Sequence, residues 1–66
     1  MRLIVNAEVC EVEECDSVAT LLQRLGVDPV RVAVLVNQSV VPGAQRETYR
    51  LQEEDRVELV TFLAGG

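Results

Sequence analysis

Only one stretch of this chain of 66 residues has the spacing of an amphipathic helix. Its apolar residues recur at i, i+3, i+4 and i+7, and they are Val18, Leu21, Leu22 and Leu25. Ser17 is a good helix N-cap, Gly26 suits the left-handed position after the last turn, and Asp28-Pro29 prevents the helix from continuing. One apolar helical stripe among extended segments favours an α+β fold in which that stripe covers one face of a sheet.

Five short segments have the apolar, β-branched composition of strands, namely residues 2–5, 9–13, 30–36, 40–41 and 56–62. The polar break at residues 6–8 predicts an opening hairpin, and Asn37-Gln38 predicts a tight turn because Asn tolerates positive φ. The nearly continuous apolar run at residues 30–36 is typical of a strand near the centre of a sheet. We therefore predict a mixed sheet of four or five strands packed on one helix.

The length of the chain predicts a single domain spanning residues 1–66, with residues 63–66 as a flexible tail. There are 11 acidic residues against 6 basic ones, all of them Arg, and the net charge is −5. This charge opposes binding to nucleic acid or to an anionic membrane. The longest apolar run is far shorter than the roughly 20 residues of a membrane span, and no leader pattern is present. We expect a cytoplasmic protein.

The side chains that usually carry catalysis near neutral pH are missing, since the chain has no His and no Lys. Cys10 and Cys15 are expected to be reduced apolar fillers in the cytosol. Two thiols without an imidazole fall short of the four ligands of a structural zinc site, so no metal is expected. The composition argues against an enzyme, and no catalytic residue is predicted.

Strand alternation predicts an apolar cluster on the face of the sheet that the helix does not cover. If Val57 faces the helix, then Val60 and Phe62 face outward, and the same parity places Ile4 and Leu35 outward. A cluster of this size is unusual on so acidic a protein, and we interpret these four residues as a docking surface. A slip of one residue in register would invert this assignment.

The last residues of the sequence have a composition suited to threading a narrow channel. Ala64 and Gly65 have little or no side chain, and Gly66 carries the terminal carboxylate. A carboxylate is ionised at neutral pH and is a poor electrophile, so it reacts only after activation, most simply as an acyl adenylate formed from ATP.

The chain resembles the ThiS family of sulfur carrier proteins of thiamine biosynthesis, which have the ubiquitin-like β-grasp fold. The likeness lies in Val5-Asn6, the helix segment 17–22, the segment 36–42 with its Asn-x-x-Val-Val-Pro pattern, the segment 55–60, and Ala64-Gly65-Gly66. Two positions depart from the family pattern. Glu54 stands where the family usually has Gly before the Asp of the last turn, and Cys15 stands where Gly is common.

The resemblance implies that the protein is a substrate of other enzymes. An E1-like adenylating enzyme would join AMP to the carboxylate of Gly66, with Ala64 and Gly65 as the threading segment. A sulfur relay fed by a cysteine desulfurase would then convert the adenylate to a thiocarboxylate, and thiazole synthase would take the sulfur. No cofactor is bound by the carrier itself, and ATP is used by the adenylating enzyme.

Two other interpretations remain open at this stage. A carrier of the same fold can serve molybdopterin formation or another pathway. Alternatively, the chain is a ubiquitin-like modifier that forms isopeptide bonds through Gly66, or a plain interaction module that acts through its apolar face.

Overall fold

The computed structural model describes residues 1–13 and 17–61 of the chain. Within these residues the α-helix α1 spans Val18–Leu25, and the five strands are β1 (Arg2–Val5), β2 (Glu8–Glu11), β3 (Val32–Val36), β4 (Ser39–Val41) and β5 (Arg56–Thr61). The strands form one sheet in the order β2-β1-β5-β3-β4. β5 is parallel to β1 and antiparallel to β3, and both hairpins are antiparallel. The predicted mixed sheet with one helix is confirmed.

The ends of α1 are the ones that the sequence predicts. The hydroxyl of Ser17 accepts a hydrogen bond from the backbone N–H of Thr20 at 3.2 Å, which satisfies one of the free donors of the first turn. Gly26 has a φ of 71°, and its N–H donates to carbonyls of the last turn. The helix therefore begins and ends through local hydrogen bonds.

Two strands are shorter than predicted. The segment predicted as residues 30–36 enters the sheet only at Val32, because Pro29–Arg31 forms a turn of 3₁₀-helix capped by Asp28. The carboxylate of Asp28 accepts from the N–H of Val30 at 3.0 Å, a local bond that competes with strand geometry. β2 ends at Glu11 instead of residue 13.

The core lies between α1 and one face of the sheet. The stripe of α1 contributes Val18, Leu21 and Leu22, all at most 2% exposed. The other buried apolar residues are Leu3, Val32, Val34, Val36, Val41, Leu51 and Val57. The buried residues of β3 are spaced i, i+2, because alternate side chains of a strand point to the same face of the sheet.

Three turns of the sheet place non-glycine residues in the left-handed region. Asn6 and Ala7 have φ of 49° and 68°, and Asn37 and Gln38 have φ of 51° and 73°. Two consecutive positive φ values are the geometry that matches the twist of a two-residue hairpin. Glu54 has a φ of 67°, which explains why Gly suits this position of the last turn.

Candidate functional site

The face of the sheet opposite α1 is the candidate docking surface, and the strand register identifies its members. Val9 pairs with Ile4 across the first hairpin, and Val40 pairs with Leu35 across the second. Val60 pairs with Ala33. Directly opposite residues of paired strands share a face, so Val9, Val40 and Ala33 lie on the same side of the sheet as Ile4, Leu35 and Val60.

Much of this apolar face is open to solvent. Val40 is 66% exposed, Val9 is 59% exposed and Val60 is 48% exposed. Ile4 and Leu35 are half-buried. Large apolar side chains exposed together on one face are a common feature of surfaces that bind another protein.

Charged residues of β5 divide the apolar face into two parts. Arg56 is the Cα partner of Ile4, and Glu58 is the Cα partner of Leu35, so both charges lie on the outer face between β1 and β3. Ile4 and Val9 lie on one side of these charges. The other side carries Ala33, Leu35 and Val40, and Val60 lies on β5 itself, two residues beyond Glu58.

The predicted docking residues are thus distributed over three strands. Ile4, Leu35 and Val60 lie on the outer face, but Ile4 is separated from Leu35 by the charged residues of β5. Phe62 lies outside the described residues. The docking role of all four stays a prediction, as do the roles of Ala64, Gly65 and Gly66, which also lie outside the described residues.

β5, the strand that precedes the predicted tail, is held at the middle of the sheet. Its pairing with β3 extends to Thr61, whereas its pairing with β1 ends at Val57. Past that point, the N–H of Leu59 donates to the side-chain oxygen of Asn6 at 2.9 Å. β5 is therefore hydrogen-bonded on both of its edges up to Leu59.

A groove with a volume of about 600 Å³ lies away from this face, between α1 and residues 43–47. Arg46 lies in its wall and donates to the carbonyl oxygens of Pro29 at 2.7 Å and Val32 at 2.6 Å. These bonds connect the wall of the groove to the start of β3, which is a structural role.

Sequence reasoning missed Val9 and Val40, although a signal for both was present. A two-residue turn at residues 6–7 pairs Val5 with Glu8 and hence Ile4 with Val9. The same geometry at residues 37–38 pairs Leu35 with Val40. The position of Arg56 within the apolar face had no local signal in the sequence, because it depends on which strand lies between β1 and β3.

Two further observations bear on the kind of protein. No helix within residues 1–13 and 17–61 is long and apolar enough to cross a membrane. In the same part of the chain, no group of three or more His, Cys, Asp or Glu residues is arranged to hold a metal ion.

Known structures share this fold over the whole chain. The crystal structure of the thiamine biosynthesis protein (ThiS) from Geobacter metallireducens is 29% identical in sequence and superposes with a TM-score of 0.85, covering 100% of both chains. The NMR solution structure of a thiamine biosynthesis protein from the same organism has a TM-score of 0.81 at 29% identity, covering 100% of this chain and 88% of that one. The fold is thus the β-grasp fold that the resemblance implied.

Curated relatives are much longer than this chain. A thiazole synthase from Paramagnetospirillum magneticum is 35% identical over 66 residues, and a thiazole synthase from Magnetococcus marinus is 36% identical over the same length. Each match covers 100% of this chain and 20% of the relative, so the chain spans about a fifth of the length of these relatives.

The sequence also matches the family model described as the ThiS family over residues 3–66. This match includes β1 from Leu3 onward, the other four strands, the helix and the closing Ala64-Gly65-Gly66. The chain belongs to the ThiS family.

Proposed function

We propose that this protein is a sulfur carrier of thiamine biosynthesis and that the carboxylate of Gly66 is its covalent site. The observation that carries the proposal is the family match, which runs from residue 3 to Gly66 and so includes the Gly-Gly end together with the globular part. The likeness to the Geobacter metallireducens thiamine biosynthesis protein over the full length of both chains supports it.

The chemistry takes place on the terminal carboxylate. An oxygen of the Gly66 carboxylate attacks the α-phosphorus of ATP, pyrophosphate leaves, and an acyl adenylate is formed. The outer sulfur of a persulfide, formed on a relay protein fed by a cysteine desulfurase, then attacks the acyl carbon, and AMP leaves. A second thiol cleaves the S–S bond of the resulting acyl disulfide, which leaves a thiocarboxylate on the carrier and a disulfide on the relay. Ala64 and Gly65 allow the carboxylate to enter the adenylating site because they add little bulk to the tail.

In this proposal the protein is a substrate and a carrier, not a catalyst. The ATP is bound by the E1-like adenylating enzyme, and the carrier itself needs no bound cofactor. Its absence of Lys fits this role, because an activated terminus finds no side-chain amine on its own body to acylate.

Thiazole synthase is the proposed acceptor of the sulfur. Two relatives that carry that name align with the whole of this chain through about a fifth of their own length. This alignment supports a carrier that works together with thiazole synthase. All of these enzymes act in the cytoplasm in this proposal.

The outer face of the sheet is the proposed docking surface for these enzymes. Leu35, Val40 and Val60 form its larger apolar part, which includes β5, the strand that leads to the tail. The net charge of −5 favours association with a partner whose rim is basic. In this proposal, the partner that covers this face also binds the tail.

Incubation with a purified adenylating enzyme, ATP and a sulfur donor tests the proposal. Intact-mass measurement should detect the adenylate first and then a species in which one oxygen of the terminus is exchanged for sulfur. Adducts on other proteins instead of this exchange would indicate a modifier. A thiolated carrier that reacts with a molybdopterin-forming enzyme and not with thiazole synthase would indicate a different pathway.

A further inference from the structure

Asn6 ends the pairing of β1 with β5 in an unusual way. Its backbone N–H donates to the carbonyl oxygen of Val57 at 2.9 Å, which continues the parallel ladder begun by Ile4. In a parallel ladder the next bond joins the main-chain carbonyl of the same residue to the N–H two positions further along the partner strand. Here that N–H belongs to Leu59.

The acceptor for Leu59 is a side-chain atom. The chain turns at Asn6 into the hairpin that leads to β2, with a φ of 49°. Oδ1 of Asn6 accepts from the N–H of Leu59 at 2.9 Å and takes the place of the carbonyl that a longer β1 would supply. The side chain of Asn6 therefore adds one rung to the sheet at the place where the strand itself has left it.

The location of this rung relates it to the tail. β5 is the only strand within residues 1–13 and 17–61 that continues toward Gly66, and Leu59 is the last of its residues held from the β1 side. Val34 pairs with Leu59 on the other side. The rung thus determines how far along β5 the strand is held on both edges before the tail begins.

We propose that Asn6 is a positioning residue for activation of the terminus, acting through Leu59. A tail that leaves the sheet from a fixed point in a fixed direction loses less conformational freedom when it enters the channel of an enzyme. Without the rung, the end of β5 loses part of its conformational freedom only when the carrier binds the enzyme. The affinity for the enzyme is then lower, while the chemistry at Gly66 is unchanged. This inference rests on the proposed function.

Paired substitutions isolate the side-chain oxygen. Asn6→Gly removes the acceptor but accepts the positive φ without strain, whereas Asn6→Asp keeps an acceptor oxygen at the same distance from the backbone. Ala7→Gly is the matched control, because it lies in the same turn with φ of 68° and has no part in the rung.

The first measurement is amide hydrogen exchange of the protein alone. We expect the amide of Leu59 to exchange at least about tenfold faster in Asn6→Gly than in the unaltered protein, Asn6→Asp or Ala7→Gly. An unchanged rate in Asn6→Gly overturns the inference, because the rung then does not hold Leu59. This measurement needs no enzyme and does not depend on the proposed function.

The second measurement is adenylation at a temperature at which circular dichroism shows every variant folded. The KM for the carrier should rise by about three- to tenfold in Asn6→Gly, with kcat within about twofold, since the hydrogen bond that orders β5 before binding is lost. Asn6→Asp should restore the KM. Faster exchange at Leu59 with an unchanged KM, or an Asn6→Asp variant that behaves like Asn6→Gly, overturns the inference.

A backbone variant keeps the test decisive if Asn6→Gly is unfolded. Chemical synthesis of the chain with an ester in place of the Leu59 amide deletes the donor and leaves Asn6 intact, and it should produce the same rise in KM. If the unaltered protein itself is not adenylated, the proposed function fails, while the exchange result still decides whether the rung exists.

Discussion

The side-chain amide of Asn37 donates to a carboxylate oxygen of Asp55 at 3.0 Å and joins the β3–β4 turn to the turn that precedes β5. The oxygen of the same amide accepts from the N–H of Arg56 at 3.1 Å. The other oxygen of Asp55 accepts from the N–H of Gln52 at 2.8 Å. The start of β5 is thus held by two side chains that lie 18 positions apart in the sequence.

Asp55→Ala should lower the free energy of unfolding by about 1–2 kcal/mol, because it removes a half-buried residue that accepts two hydrogen bonds. Urea denaturation followed by circular dichroism measures the change. Glu47→Ala removes the same charge at an exposed position and should change the free energy of unfolding by less than about 0.5 kcal/mol. Equal effects of the two substitutions would show that charge, and not the hydrogen bonds, explains the loss.

Gly26→Ala and Gly43→Ala should have different effects on stability although both positions have free space for a methyl group. Gly26 has a φ of 71°, so Ala there is strained and should destabilise the protein by about 1 kcal/mol. Gly43 has no positive φ, and Ala there should be neutral or slightly stabilising. Thermal unfolding of the two variants checks this, and a stable Gly26→Ala variant would contradict the helix-end geometry.

Val60→Asp should weaken binding to the adenylating enzyme by more than about tenfold, because it places a charge in the apolar part of the proposed docking surface. Val60 is 48% exposed, so the fold should tolerate the change. Gln23→Glu adds the same charge on the exposed side of α1 and serves as the control. Titration calorimetry measures both affinities, and equal affinities for the two variants would remove Val60 from the interface.

Deletion of Gly66 should abolish adenylation and leave the melting temperature within a few degrees of that of the unaltered protein. The reason is that α1, the sheet and Leu51 already form a closed apolar core within residues 1–13 and 17–61. A large loss of thermal stability would mean that the end of the chain packs on the globular part, which would argue against a free terminus.

The helix and the hairpins were predictable because their causes are local. Ser17 and Gly26 terminate α1 through bonds to residues within four positions of themselves. Asn37 tolerates a positive φ, and this preference is visible in the residue type. The start of β3 was predicted too early because the competing bond from Val30 to Asp28 depends on the exact conformation of the turn.

The composition of the docking face was only partly predictable. Alternation within each strand predicts that Ile4, Leu35 and Val60 lie on the outer face, and in the structure they do. The division of that face by Arg56 and Glu58 required knowledge that β5 lies between β1 and β3. Alternation orients side chains along a strand but carries no information on which strands are neighbours.

The amphipathic helix, the turns and the outward parity of the apolar strand residues can be predicted from the amino-acid sequence, because each depends on neighbours close in the chain. The position of β5 beside both β1 and β3 follows from tertiary packing, as does the hydrogen bond between the side chain of Asn6 and Leu59, 53 positions away. Such contacts arise when all five strands pack on one helix, and no local preference encodes that order.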